Sequence, residues 1–388
     1  MRCFAKLLLP VTLLYLISLT NPVFGSKIKI GFDIPLTGEF EVVGKNARQT
    51  GDLILKQVND AGGLHVNGQV HEIEFIYNDN QSTSTEASGQ VLDLVSRKKV
   101  LAIVGPLSSR QAVPAGGIAN SFSTPLISPW STSPDTTKKR PFVFRSGYLL
   151  EVQAPVLTKF ITNEFKATKA AVLYDIVSTY PRIMAKSFRD IFEETNGKGS
   201  VVVYEEFRTG ETDLSKQLQK IVDSDADILF TPQHYNEVPG IVRQARKLGW
   251  EKPIIGSNSW AGGNLTKECG SACDDLFFVG NYAAGKATGK SKDFVEVYKK
   301  AYGELPDEVA ALTWDAVQVL LLSIENSGGL TGNLIKDRAT IRERLTQITN
   351  YEGVTGKMSF NESGDPAKCA VIIKIENGIN THYSTVCP

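Results

Sequence analysis

The chain has 388 residues, with 42 Lys and Arg against 42 Asp and Glu, and is 42% hydrophobic and 22% charged. That composition excludes a disordered chain, and its formal neutrality argues against a nucleic-acid binder, which carries a basic excess on one face. The length fits two domains, each able to bury a core without help from metals or disulfides.

Residues 1–25 read as a secretory signal peptide. Arg2 and Lys6 precede an apolar stretch from Leu7 to Leu19, which is interrupted by Pro10 and falls short of the roughly 20 residues a spanning helix needs. Cleavage is expected after Gly25. Loss of Arg2 and Lys6 would leave 40 basic residues against 42 acidic, so charge does not choose a partner. Cys3 stands ahead of the apolar core, out of position for a lipid-modified cysteine. A soluble protein, periplasmic or otherwise extracytoplasmic, is expected.

Strand and helix patterns then alternate. Residues 27–33 form a short β-type run, 46–60 carry helical spacing, 72–77 are again strand, 90–97 helix and 100–104 a buried strand. The pattern restarts with strand at 169–175, helix at 184–195, strand at 200–206, helix at 214–222, strand at 226–230 and helix at 238–248. Such alternation predicts an α/β fold of two similar units with parallel sheets and right-handed crossovers. Ligands bind at the strand ends of such sheets.

Without Cys3, four cysteines remain, and three pairings are open to them. Export makes disulfides reasonable, and the simplest pairing is local: Cys269 with Cys273 and Cys369 with Cys387. Between the latter two, residues 370–376, the dipeptide Asn377-Gly378 and residues 379–383 read as strand, turn, strand. A two-residue turn there pairs residues whose numbers sum to 755, one short of the cysteine pair, so a three-residue loop or a bulge is expected. The cysteine spacings fit zinc poorly. No metal or other cofactor is expected.

Polar detail falls at strand ends, in residues 105–109 (Gly-Pro-Leu-Ser-Ser) and 129–134 (Pro-Trp-Ser-Thr-Ser-Pro). A hydroxyl beside free backbone N–H groups at a helix start suits a carboxylate, although capping by Ser108 or Ser109 explains the same residues.

The segments 30–38, 58–63, 105–109, 143–145, 243–246 and 353–360 occur in order over nearly the whole mature chain. They resemble the leucine/isoleucine/valine-type periplasmic binding proteins. The resemblance implies the type I periplasmic-binding fold, with two doubly wound α/β lobes joined by three crossing segments. Lobe 1 would comprise 26–147 and 282–354, and lobe 2 would comprise 148–281 and 355–388. It further implies that the protein captures a small carboxylate-bearing ligand, an amino acid or an aromatic or organic acid, and delivers it to an ABC permease in the inner membrane. The same fold also serves soluble ligand sensors that signal through a membrane partner. Neither role is enzymatic, and the chain is expected to act as a monomer.

Residue by residue, the resemblance places Ser109 on the ligand carboxylate, the Trp130 carbonyl and Thr132 hydroxyl beside it, and Tyr180 over the ligand. An aromatic after the strand at 227–230 should line the cleft, as either His234 or Tyr235. Trp260 joins this aromatic wall, whereas Arg110 is expected to be exposed. At 256–260 amino-acid binders of the family carry an acid, and here Asn258 stands. An amide loses the charge-assisted part of a bond to an ammonium, so simple aliphatic amino acids are expected to bind poorly. Val43 replaces a tyrosine found in some amino-acid binders.

Catalytic patterns are weak. Residues 284–291 (Ala-Gly-Lys-Ala-Thr-Gly-Lys-Ser) fit only a relaxed phosphate loop, Ser96 and Lys99 lack companion motifs, and His65, His71, His234 and His382 show no metal-ligand spacing.

Overall fold

The computed structural model describes residues 23–387. The charged and apolar parts of the expected signal peptide, at 1–22, lie outside these. Just ahead of the expected cleavage point, Val23–Phe24 pairs in parallel with Gln69–His71.

The first sheet has five parallel strands: Ile28–Ile34, Ile73–Asp79, Ala102–Val104, Leu126–Ser128 and Val143–Arg145. The second strand pairs outside the first, and the third, fourth and fifth follow on the other side. The second sheet repeats that order with Ala170–Asp175, Val201–Phe207, Ile228–Phe230, Ile254–Gly256 and Phe277–Gly280, then adds Ala370–Glu376 and Ile379–Val386 in antiparallel pairing. Inner strands such as Ala102–Val104 and Ile228–Phe230 are buried throughout, as expected of strands covered on both faces. In this strand order the chain leaves in opposite directions after the first and third strands, opening a crevice at their C-terminal ends. The segments leaving those ends are 35–40 and 105–109 in the first unit, and 176–180 and 231–234 in the second.

Three helices begin earlier than their apolar spacing suggests. Glu41–Asp60 starts ahead of 46, Ser84–Asp93 ahead of 90, and Thr179–Asn196 ahead of 184. Their first turns hold residues that periodicity does not register. Thr83 accepts a hydrogen bond from the Glu86 N–H at 3.2 Å, and Pro181 sits in a first turn, where no N–H is needed. Gly44 allows the first of these helices to enter, because a Cβ there would stand 1.7 Å from the Pro35 carbonyl oxygen.

After Phe277–Gly280 the chain returns to the first unit. The phosphate-loop-like segment lies on this return, and its backbone is committed elsewhere: Gly285 N–H donates to the Asn380 carbonyl at 2.9 Å and Gly285 O accepts from His382 N–H at 3.1 Å. The helices Gly289–Tyr302 and Glu308–Glu325 pack Phe294, Tyr298 and Ala310 against Leu53. Leu334–Thr346 is anchored by Arg338, whose guanidinium donates to the Val100 carbonyl at 2.6 Å. Tyr351–Gly353 and Gly356–Phe360 then form a hairpin whose tip is the expected lobe boundary at 354/355. Phe360 in its second arm packs on Phe144 of the first sheet, 5.2 Å between ring centroids.

The sulfur atoms of Cys269 and Cys273, and of Cys369 and Cys387, lie at bonding distance. The C-terminal hairpin uses the bulge. Asn377 and Gly378 both take positive φ, at 51° and 71°, as a two-residue turn requires. Glu376 pairs with Ile379 and Ile373 with His382, whereas Ile372 pairs with Ser384. Tyr383 is therefore the extra residue that brings the cysteines opposite. Mass spectrometry of unreduced peptides should return these two links, and a Cys369 link to Cys269 or Cys273 would refute them. Replacing Cys369 and Cys387 together by Ala should lower the unfolding free energy by about 3 kcal/mol, read from chemical denaturation.

Candidate ligand-binding site

The crevice ends of the two sheets face each other across a small, nearly filled cavity. The first unit supplies Phe40, Ser108, Ser109, Arg110, Trp130 and Thr132, and the second supplies Ser178, Tyr180, His234, Asn258 and Ser259. Ser109, Trp130, Thr132, Tyr180, His234 and Asn258 are thus brought together.

Ser109 does not act as the cap of its own helix. Ser108 takes the N-cap position of Ser109–Ser121, with its hydroxyl donating to Gln111 Oε1 at 2.9 Å. Ser109 Oγ instead accepts from Ser131 Oγ at 3.1 Å and from the Ser133 N–H at 3.3 Å. With two bonds accepted, its own hydrogen remains to be donated. Thr132 Oγ1 and Trp130 Nε1 are buried without a protein partner. Three residues with an unused donor therefore line the cavity, an arrangement suited to a carboxylate.

The loop that carries two of these donors is held by Arg145 at the end of the fifth strand. Its buried guanidinium donates to the Ser131 carbonyl at 3.0 Å, the Ser133 carbonyl at 2.7 Å and Thr137 Oγ1 at 2.8 Å, and pairs with Asp365 at 2.6 Å. The Thr132 carbonyl between them accepts from the Leu150 N–H at 3.0 Å. Thr132 is therefore fixed on three sides.

Opposite, the Tyr180 hydroxyl lies 2.6 Å from Asn258 Oδ1 and 2.9 Å from Gln153 Oε1. Ser259 Oγ donates to the Gln233 carbonyl at 2.6 Å, tying the two second-unit loops together. His234 meets Phe40 at 5.0 Å between centroids, with Trp130 at 6.2 Å and Tyr180 at 5.9 Å. Burial among these rings pushes its pKa down to about 4, with Glu39 opposing and Arg110 adding to the shift. Its imidazole is neutral at pH 7.

Tyr235 and Trp260 are placed away from the cavity. Tyr235 packs on Gly263, where a Cβ would stand 2.4 Å from its ring. Trp260 lies over Gly256 and donates its indole N–H to the Thr231 carbonyl at 3.1 Å. Both rings fill space that a neighbouring glycine leaves. Arg110 lines the cavity rim, bonded to Glu39 and the Ser82 carbonyl, both at 2.9 Å. Phe40, Ser178 and Ser259 were not singled out in the sequence, although each follows a strand end. Val43 stands behind the wall with Trp130. A Cβ at Gly262 would come within 3.1 Å of Val43 Cγ1 and 3.0 Å of Trp130 Cζ2, so the two units touch at that glycine.

A buried polar group backs Asn258. Glu308, at the start of its helix, accepts from the Asn281 N–H at 2.5 Å and Asn281 Nδ2 at 3.1 Å, and stands 3.5 Å from Asn258 Nδ2. Asn281 Oδ1 in turn accepts from the Tyr148 N–H at 3.2 Å, so two crossing segments are joined at this point. Nearby, Lys368 donates to the Ser146 carbonyl at 3.1 Å and to Thr355 Oγ1, and Thr355 bonds Asp315. Burial raises Glu308 to about 7 and lowers Lys368 to about 8. Among the described residues, no group of three His, Cys, Asp or Glu side chains is placed to hold a metal.

Arg145→Leu would leave Asp365 with an uncompensated charge and should cost about 3–5 kcal/mol in denaturation experiments. Asp365→Asn should cost less, about 1–3 kcal/mol, because the guanidinium keeps its bonds to the loop. A milder effect of Arg145→Leu than of Asp365→Asn would show that the ion pair, not the loop, holds this corner. His234 gives a pH dependence. Its pKa in the closed cavity is depressed to about 4, so closure is unhindered above the free value near 6.5 and is increasingly opposed as pH falls toward 4. Ligand affinity should drop by up to about tenfold per pH unit across that window, and His234→Gln should flatten the profile in calorimetric titrations.

Comparison with known proteins agrees with this geometry. The periplasmic binding protein family profile matches residues 27–379. A leucine-, isoleucine-, valine-, threonine- and alanine-binding protein of Pseudomonas aeruginosa is 26% identical over 340 residues, which is 87% of each chain. The branched-chain amino acid transporter substrate-binding protein LivJ from Streptococcus pneumoniae, solved with isoleucine, is 30% identical with a TM-score of 0.84, covering 93% of this chain and 100% of that one. The leucine-binding protein LivK from Thermotoga maritima is 28% identical with a TM-score of 0.83, covering 93% and 99%. The fold is that of type I periplasmic binding proteins, and the chain belongs to the periplasmic binding protein family, whose members bind ligands without catalysis, as a solute-binding protein of the LivJ/LivK type.

Proposed function

We propose that the protein captures a small carboxylate-bearing ligand between its lobes and delivers it to an ABC permease in the inner membrane. The observation that carries this reading is the donor cluster of Ser109, Thr132 and Trp130, held in place by Arg145 and facing His234 and Tyr180 across the cavity. The apolar walls of Phe40 and Trp130 suit the body of an amino acid or of an aromatic or organic acid. Residues 26–147 belong to lobe 1 and 148–281 to lobe 2. The return segment beginning at 282 stays with lobe 1 past the tip of the hairpin at 354/355, to the Asp365 that pairs with Arg145, and the chain crosses at Lys368. An extracytoplasmic location fits the signal-peptide pattern and the paired cysteines. No described helix is long and apolar enough to cross a membrane.

A thermal-shift screen of amino acids, aromatic acids and amides tests the reading. A ligand present at 100 times its dissociation constant should stabilise the protein by about 2.7 kcal/mol. Ser109→Ala and Thr132→Ala should each weaken binding by roughly 1–3 kcal/mol while changing unliganded stability by no more than about 1.5 kcal/mol. Unchanged affinity in both variants would remove the carboxylate site.

A further inference from the structure

The two ends of the cavity have opposite hydrogen-bond character. Donors without a protein acceptor gather around Ser109, and three side-chain oxygens meet at Tyr180. Tyr180 has one hydroxyl hydrogen, yet both Asn258 Oδ1 and Gln153 Oε1 stand within 2.9 Å of its oxygen. Gln153 Oε1 also accepts from the Asn258 N–H at 3.3 Å, so three oxygens share two hydrogens, and a ligand that brings hydrogens of its own would complete the set.

The side chain behind Asn258 decides which way its amide faces. An ionised carboxylate only accepts, so Glu308 Oε1, 3.5 Å away, turns Asn258 Nδ2 toward itself and leaves Oδ1 toward Tyr180 and the cavity. Gly280 makes room for this, because a Cβ there would lie 2.7 Å from Glu308 Oε2. The buried charges around Glu308 do not balance. Glu308 and Asp315 are both buried carboxylates, and the one buried lysine beside them, Lys368, is bridged to Asp315 through Thr355. With both carboxylates ionised, one negative charge is left over on the side of Asn258.

We propose, resting on the carboxylate reading above, that Glu308 is a positioning residue that supplies through Asn258 the negative counterpart of a ligand ammonium, so that the ligand is a zwitterionic amino acid. The acid expected at 258 stands one side chain deeper, on a helix 50 residues further along the chain. Burial holds the Glu308 carboxyl up at about 7, and an arriving ammonium draws it into its charged form. An acid at 258 itself would face Glu308 as a like charge.

The test compares amino acids with their deaminated counterparts: alanine with propanoate, leucine with 4-methylpentanoate, and phenylalanine with 3-phenylpropanoate. Calorimetric titrations would use the natural protein, Glu308→Gln, and Asn258→Asp combined with Glu308→Gln. For the pair whose side chain fits, the natural protein should favour the amino acid by about tenfold or more. Glu308→Gln should erase that preference while leaving the deaminated acid within about threefold, which also reports that the variant is folded. The double variant, with its charge moved to 258, should restore the preference. Tighter binding of the deaminated acids by the natural protein, or equal losses for both members of a pair in Glu308→Gln, would overturn the assignment and leave the carboxylate site standing. Failure of every acid to bind would overturn the carboxylate site and this assignment with it.

Discussion

A guanidinium with no access to solvent sets the geometry on which ligand capture depends. The wall formed by Trp130, Ser131 and Thr132 is irregular chain after a strand end, with no ladder of its own to hold it. Arg145 takes the carbonyls on both sides of Thr132, and its charge is tolerable in the interior only because Asp365 is delivered beside it. Asp365 arrives from more than two hundred residues away, after the helices Gly289–Tyr302, Glu308–Glu325 and Leu334–Thr346 have packed. The ligand loop is thus finished only when the returning chain, through Asp365, is in place.

The remaining wall residues follow from topology. Both sheets have the same strand order, and in both the first and third strands release the chain into the crevice. Phe40 and Ser109 descend from one pair of strand ends, Tyr180 and His234 from the other. Two copies of one arrangement face each other, yet one presents hydroxyl and indole donors and the other amide and phenol oxygens. The polarity of the cavity is a property of sequence laid over a repeated frame.

Much of this was legible in the sequence because strands here are short, apolar and closed by glycine or proline, and the Asn377-Gly378 turn even allowed the bulge to be counted. Helix starts were less legible, since a first turn such as Ser84-Thr85-Glu86 is polar and leaves no apolar period to read. Aromatic side chains were sorted poorly for a different reason. Whether Tyr235 or His234 lines the cavity depends on which of them has a glycine opposite, and Gly263 is supplied by another loop. Glu308 left no local mark at all. It reads as an ordinary acid in a helix first turn, and only the crossing chain at Asn281 and the vacant space at Gly280 bring it against Asn258.

The contact at Gly262 bears on how long a ligand stays. Trp130 and Val43 of one lobe close onto that α-carbon so tightly that a methyl group there would have to push them back by a few tenths of an ångström, and residue 262 is not among those lining the cavity. The seal between the lobes is therefore set by a side chain that is missing. Residence time is thereby tied to a position outside the cavity wall, and a single added carbon at 262, pressing on Val43 and Trp130, would act as a doorstop that shortens the stay of a bound ligand.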